Sequence, residues 1–171
     1  MAFTTHKEIP NVEFQIMTDD GSARVTSREI FSGKNAILFA VVGAFWPACH
    51  YYHLPGYLED TANFKRYGID LIACTGTNDI FVFDEWAKAL EVENEILFLA
   101  DGNADFARAM GLVFDARTND FGVRSKRYAM WVVDCVIREL HVEPDASVVD
   151  FSSSAAMLQV LQTFNTGSLN A

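Results

Sequence analysis

The feature that most constrains this chain is an uncharged apolar segment that leads, within a few residues, to a cysteine. Residues 36–42 are all apolar, which is typical of a central strand that is buried on both faces of a sheet. Gly43 ends the segment, and Pro47 predicts the start of a helix because its ring fixes φ near the helical value. Cys49 then lies in the first turn, where unpaired backbone amides and the helix dipole favour a thiolate. The alternative interpretation is a small buried cysteine of the core.

Composition and charge limit the classes of protein to which the chain can belong. Its 171 residues are 50% hydrophobic and 21% charged, which fits a single domain over 1–171 with flexible ends at about 1–10 and 166–171. No apolar segment is long enough to span a bilayer, and the N-terminus lacks the apolar core of a secretory signal. A net charge of −10 argues against binding nucleic acid through its phosphates. We therefore expect a cytoplasmic protein that binds neither membranes nor nucleic acids.

The three cysteines, Cys49, Cys74 and Cys135, contain no CxxC pair. An odd number of cysteines argues against a secreted disulfide scaffold, so we expect reduced thiols. Cys74 lies inside a second apolar segment, where a buried core thiol is at least as consistent with the pattern as a reactive one.

Turn and capping signals predict strands that alternate with helices. Residues 13–26 form a predicted hairpin, and the capping-box spacing of Thr26 and Glu29 predicts a short helix directly after it. Asn78 or Asp79 caps a further predicted helix. More strands are predicted at 69–75, 96–100, 127–133 and 136–142, a loop at 113–124 and a last helix at 155–164. This order predicts an α/β sandwich around a mixed sheet.

Short strings along most of the chain match one known family. They are Gly43-Ala44-Phe45, Pro47 before Cys49, His53-Leu54-Pro55-Gly56-Tyr57, Asn78-Asp79, Trp86-Ala87-Lys88-Ala89, Leu99-Ala100-Asp101-Gly102-Asn103, Gly122-Val123-Arg124-Ser125-Lys126-Arg127-Tyr128 and Val142-Glu143-Pro144. Over roughly residues 10–165 the chain resembles the type II, peroxiredoxin-5-like peroxiredoxins of the AhpC/TSA redoxin family. The resemblance implies a thioredoxin-like sandwich in which helices flank a central mixed β-sheet.

The resemblance also implies a chemistry and assigns residues to it. In that family the reactive cysteine ends a Pro-Gly-Ala-Phe-Thr-Pro-Thr-Cys motif, attacks the O–O bond of a hydroperoxide and becomes a sulfenic acid. This role falls to Cys49. The arginine that holds the thiolate falls to Arg124, with Arg127 as a supporting cation. The family's proline and its two threonines are replaced here by Val42, Trp46 and Ala48.

The replacement at Trp46 leaves two hypotheses open. A threonine hydroxyl both donates and accepts hydrogen bonds, whereas an indole N–H only donates. Losing one such bond in a transition state typically costs about 10²–10³ in rate. The first hypothesis is a thiol peroxidase for hydrogen peroxide or alkyl hydroperoxides, weakened or redirected by Trp46. The alternative is a repurposed or engineered peroxiredoxin fold whose aromatic pocket binds a small apolar or aromatic molecule or supports other thiol or acid–base chemistry. Residues expected to line the pocket are Val42, Phe45, Trp46, Pro47, His50 and Arg127.

The same resemblance implies the redox partners. Cys74 follows Cys49 by 25 positions, a spacing at which some members carry a second, resolving cysteine, although a buried Cys74 reacts only after local unfolding. Otherwise glutathione, glutaredoxin or thioredoxin acts as the reductant. We expect a homodimer that pairs through the loops around the active site. No cofactor is implied, and no metal site is expected because His53 belongs to the family's own string.

Overall fold

A computed structural model describes residues 7–168 of the chain. The flexible ends expected from the sequence fall partly at 1–6 and 169–171, which lie outside the described residues. Within them, Lys7–Glu8 pair with a later strand, and the last helix runs to Ser168. No helix of this part of the chain is both long and apolar enough to cross a bilayer.

One mixed sheet of eight strands organises the described residues. Its strands are β1 (Lys7–Glu8), β2 (Glu13–Thr18), β3 (Gly21–Thr26), β4 (Asn35–Ala40), β5 (Leu71–Gly76), β6 (Leu97–Ala100), β9 (Tyr128–Val133) and β10 (Val136–Val142). The remaining two strands, β7 (Val113–Asp115) and β8 (Val123–Ser125), form a separate antiparallel pair. The sheet order is β1-β10-β9-β4-β5-β6-β2-β3. Strands β4, β5 and β6 run parallel and the other pairs are antiparallel, which confirms the predicted mixed sheet.

Helices lie between the strands in chain order and pack against the sheet. They are α1 (Ser27–Phe31), α2 (Leu54–Glu59), α3 (Thr61–Arg66), α4 (Ile80–Ala89), α5 (Asp105–Met110) and α6 (Ser154–Ser168), with a π-helical turn at Cys49–His53 and a 3₁₀ turn at Arg117–Asn119. The capping box predicted before α1 is present, because Thr26 Oγ1 accepts from the Glu29 amide and Glu29 Oε2 accepts from the Thr26 amide. Asp79 caps α4 by accepting from the amides of Phe81 and Val82.

The central strand β4 is buried on both faces, as the apolar segment predicts. Side chains alternate between the faces, since successive residues of a strand point in opposite directions. Ile37 and Phe39 pack into the cluster that contains Cys49, and Leu38 and Ala40 pack into the cluster on the other face. The strand therefore anchors the loop that carries the cysteine between two apolar layers.

One local prediction differs from the structure, and one turn has residues that run against local backbone preference. The stretch 113–124, predicted as a loop, contributes β7 and the start of β8. Asp134 and Cys135 form the turn between β9 and β10 with φ of 46° and 64°. Both values lie in the left-handed region that a tight hairpin turn requires and that glycine adopts more easily at the second position.

Candidate active site

Cys49 lies at the start of a helix and is completely buried. The helical backbone begins at Pro47, so Cys49 occupies the first turn, as predicted. The amides of Ala48 and Cys49 have no acceptor inside the helix because a first turn has no preceding carbonyls. The Leu54 amide donates to the Cys49 carbonyl, which makes the turn a π turn, a distortion often found at functional sites.

The guanidinium of Arg127 contacts the sulfur of Cys49. Its Nη2 lies 3.3 Å from Sγ, and the side chain is only 1% exposed. Nε and Nη2 also donate to the Ala146 carbonyl at 3.1 and 2.8 Å. These bonds fix the plane of the guanidinium, so its positive charge is placed to stabilise a thiolate on Cys49.

His53 holds Arg127 from the side opposite to Ala146. Its Nε2 lies 3.0 Å from the Ser152 carbonyl, and its Nδ1 lies 3.0 Å from Nη1 of Arg127. Because a carbonyl only accepts and a guanidinium only donates, His53 carries its proton on Nε2 and accepts at Nδ1. Burial and the adjacent guanidinium lower the pKa of His53 to about 3. His53 is therefore a neutral acceptor for Arg127 at physiological pH.

The segment 143–152, which precedes α6, holds His53 and Arg127 in place. The Ser152 carbonyl also accepts from the Tyr57 hydroxyl at 2.7 Å. Oε1 of Glu143 accepts from the amide and the hydroxyl of Ser152 at 2.8 Å each, and from the Asp150 amide at 2.7 Å. The buried Glu143 carboxylate thus fixes the carbonyl that orients His53.

Arg124 does not contact the sulfur, which corrects the assignment made from the sequence. Its Nε donates to the Phe121 carbonyl at 2.8 Å, and its guanidinium lies against Gly43, where an added Cβ would be 3.1 Å from Nη1. Arg124 sits in the short strand β8, whereas Arg127 directly precedes β9, the neighbour of β4. Arg127 is therefore the arginine that the sheet brings to Cys49.

The residue in the threonine position, Trp46, is half-buried and packs against Phe121 with ring centroids 4.8 Å apart. Val42 is fully buried, whereas Phe45, three residues later, is 51% exposed and has φ of 62°. Pro47 is exposed. The residues expected to line one pocket are thus spread from the core to the surface.

His50 belongs to a different cluster from Cys49 and Arg127. Nε1 of the buried Trp86 donates to His50 Nδ1 at 2.9 Å, and Phe45 stacks on the imidazole at 5.8 Å. His50, one of the residues expected to line the pocket, thus bonds to Trp86. The histidine in the network of Cys49 is His53, which the sequence showed only as part of a string shared with the family.

Comparison with known proteins identifies the lineage of this site. Residues 4–158 match the family model described as Redoxin. The chain belongs to the redoxin family. This redoxin is 40% identical over 139 residues to Peroxiredoxin-2E, chloroplastic, of Arabidopsis thaliana, covering 80% of this chain and 59% of that protein. It is 38% identical over 150 residues to the hybrid peroxiredoxin hyPrx5 of Haemophilus influenzae, covering 88% and 62%. The chain thus spans about three-fifths of the length of these two relatives.

Other relatives match this redoxin over more of their length. Peroxiredoxin sll1621 of Synechocystis sp. is 35% identical over 150 residues, covering 82% of this chain and 79% of that protein. The crystal structure of reduced Prx3 in complex with H₂O₂ from Vibrio vulnificus has a TM-score of 0.88 at 38% identity, covering 94% of this chain and 99% of that chain. Peroxiredoxin 5 from Alvinella pompejana has a TM-score of 0.82 at 34% identity, covering 95% and 99%. These matches confirm the peroxiredoxin resemblance and the thioredoxin-like sandwich.

The two other cysteines of this redoxin lie in less reactive surroundings. Cys74 is a fully buried residue of β5, and burial together with Cys49 raises its pKa well above the ordinary thiol value. Cys135 is partly exposed in the turn between β9 and β10, and its pKa is also raised, mainly by burial. Neither thiol has a guanidinium in contact with its sulfur.

Proposed function

We propose that this redoxin is a thiol-dependent peroxidase that reduces hydrogen peroxide or alkyl hydroperoxides through a sulfenic acid on Cys49. The observation that carries the proposal is the 3.3 Å contact between Arg127 Nη2 and Cys49 Sγ, at the start of a helix. The names of the relatives, all peroxiredoxins, favour this function over a repurposed aromatic pocket.

The proposed reaction needs only the sulfur, one cation and the backbone around them. The Cys49 thiolate attacks one oxygen of the hydroperoxide, an S–O bond forms as the O–O bond breaks, and the leaving alkoxide takes up a proton from water. Arg127 and the free amides of the first helical turn stabilise the negative charge as it moves from sulfur to the leaving oxygen. The products are Cys49 sulfenic acid and an alcohol, or water from hydrogen peroxide.

Two thiols then return the enzyme to its reduced state. The first condenses with the sulfenic acid to a mixed disulfide and releases water, and the second attacks that disulfide and restores Cys49. We propose an external donor, glutathione, glutaredoxin or thioredoxin, because Cys74 is buried inside β5 and would react only after that strand opens.

The remaining expectations stay part of the proposal. Trp46 offers no hydroxyl to bridge thiolate and peroxide, so we expect slower chemistry than a threonine would permit. Exposed aromatic residues near the site, Phe45 and Phe81 among them, fit a homodimer that pairs beside Cys49. The expected location is the cytoplasm.

A stopped-flow experiment on the reduced protein tests the function. We expect hydrogen peroxide to oxidise Cys49 much faster than it oxidises free cysteine. A reagent that traps sulfenic acids should form its adduct on Cys49 and not on Cys74 or Cys135. Arg127→Gln should slow this step by about 10²–10³. Arg117→Gln is the matched control, because Arg117 is exposed and paired with Asp115. A wild-type rate equal to that of free cysteine would exclude the peroxidase function.

A further inference from the structure

A second guanidinium lies beside the loop that carries Cys49, and the proposed reaction does not use it. Arg124 is half-buried, and its Nε bond to the Phe121 carbonyl holds the side chain in place. Nη1 lies so close to Gly43 that an added Cβ would be 3.1 Å away. The Arg124 guanidinium thus lies against the backbone of Gly43, six residues before Cys49.

Within residues 7–168, Arg124 forms no ion pair and its two terminal nitrogens make no hydrogen bond. Two acidic side chains of neighbouring segments have other partners. Asp115, which follows Phe114, the cross-strand partner of Arg124, binds Arg117 at 2.6 Å, and Asp79 caps α4. Asn78 Oδ1, which lies 3.5 Å from the same point over Gly43, accepts from the Ala44 amide. The fork of two nitrogens is free, and its geometry matches a carboxylate.

An apolar surface adjoins this cation. Phe121, whose carbonyl anchors Arg124, packs its ring against Trp46 at 4.8 Å. Phe121 is 43% exposed, so the pair presents an aromatic face to solvent. Trp46, which replaces the threonine of the family motif, therefore belongs to a surface that has both an aromatic and a cationic part.

We propose that Arg124 is a specificity-determining residue that binds the carboxylate of hydroperoxides of apolar carboxylic acids, while their apolar bodies pack on Trp46 and Phe121. This rests on the proposed peroxidase function and names its substrate class. The chemical step is unchanged: the Cys49 thiolate becomes a sulfenic acid and the substrate leaves as a hydroxy acid after taking up a proton. The chain carries a net charge of −10, so most of its surface repels anions. An unpaired Arg124 guanidinium would therefore have a large effect on the binding of an anionic substrate.

Cumene hydroperoxide and its para-carboxy derivative form a matched pair of probes, since they share the reacting group and the aromatic body. Rates with the protein are divided by the rates with free cysteine to remove intrinsic reactivity. We expect wild type to prefer the carboxylated probe by about 10- to 100-fold in kcat/KM, the range of a hydrogen bond to a charged group. Added salt should reduce the preference, because it screens a partly exposed charge.

Variants at Arg124 and at a distant arginine separate recognition from folding. Arg124→Gln should bring the preference to about one through a higher KM for the carboxylated probe, and Arg124→Lys should retain part of it because the charge remains without the fork. Arg108→Gln is the control, since Arg108 is exposed and paired with Asp105, and it should keep the full preference.

The outcomes distinguish the two proposals. Equal normalised rates for the two probes with wild type, both above free cysteine, would overturn the role of Arg124 and leave the peroxidase function intact. A preference that survives in Arg124→Gln would also overturn it. If neither probe reacts faster than with free cysteine, the role of Arg124 is overturned, and the peroxidase function fails as well only if hydrogen peroxide also reacts no faster than with free cysteine.

Discussion

Replacing His53 should make the stability of this redoxin less sensitive to acid. Burial and Arg127 lower the pKa of His53 to about 3 in the folded chain, against an ordinary value of 6.5. Between these values the unfolded chain binds a proton that the folded chain does not. The folded state therefore has its full stability relative to the unfolded chain above about pH 6.5, and His53 lowers that stability progressively as the pH falls toward about 3.

The size of the effect follows from the same two pKa values. One pKa unit corresponds to about 1.36 kcal/mol, so the complete loss near pH 3 is about 5 kcal/mol. Between about pH 7.5 and pH 5 the histidine is responsible for about 2 kcal/mol of that loss. This is a large part of the free energy of unfolding of an ordinary domain, which is about 5–15 kcal/mol.

Urea unfolding of reduced wild type, His53→Asn and His53→Gln at both pH values isolates this contribution. At each pH, the gap is the free energy of unfolding of wild type minus that of the variant. All other titrating groups are common to the two proteins, so their effects cancel when the gap at pH 5 is subtracted from the gap at pH 7.5. We expect the gap to narrow by about 2 kcal/mol for both variants, because neither side chain titrates. A gap that is the same at the two pH values would refute the neutral, buried state assigned to His53.

The two variants should differ in activity although they share this pH behaviour. Asparagine can place an oxygen near the position of Nδ1 and keep an acceptor for Arg127, whereas glutamine can reach only toward the Ser152 carbonyl. We expect His53→Gln to oxidise with peroxide about tenfold or more slower than His53→Asn, since a hydrogen bond to a charged group is lost. Equal rates would mean that His53 does not position Arg127.

Two further variants test neighbouring residues. Trp46→Thr restores the hydroxyl of the family motif and should raise the stopped-flow rate of Cys49 oxidation by about tenfold or more; an unchanged rate would mean that the indole does not limit the chemistry. Cys74→Ser places a hydroxyl in an apolar cluster and should lower the urea-unfolding free energy by about 1–3 kcal/mol. The same variant should still turn over with an external thiol, and loss of turnover would instead identify Cys74 as the resolving cysteine.

Local signals in the sequence predicted the framework of the site. The apolar segment predicts the buried strand β4, Pro47 predicts the helix start, and Thr26 and Asp79 predict their caps. Each of these depends on residues within one turn or one strand. Backbone preference and side-chain periodicity act over such distances, which is why they can be inferred from the order of residues alone.

The contacts around Cys49 were not predictable in the same way. The bonds from Arg127 to His53 and from His53 to Ser152 join residues 74 and 99 positions apart, and no local pattern encodes which partners meet. Arg124 and Arg127 stand in one short string, so the choice between them depends on which strand pairs with β4. The β7–β8 pair was missed for a related reason, because strands of three residues have too few positions to establish a period of two.

The segment 143–152 makes the proposed reactivity of Cys49 dependent on completion of the chain. A nascent polypeptide that has already exposed Cys49 and the first strands outside the ribosome still lacks the carbonyls of Ala146 and Ser152, which hold Arg127 directly and through His53. The contact between Arg127 and Cys49 is therefore expected only after the C-terminal part of the chain has docked. Under the proposed function, the rate of reaction with peroxide would then report correctly completed folding.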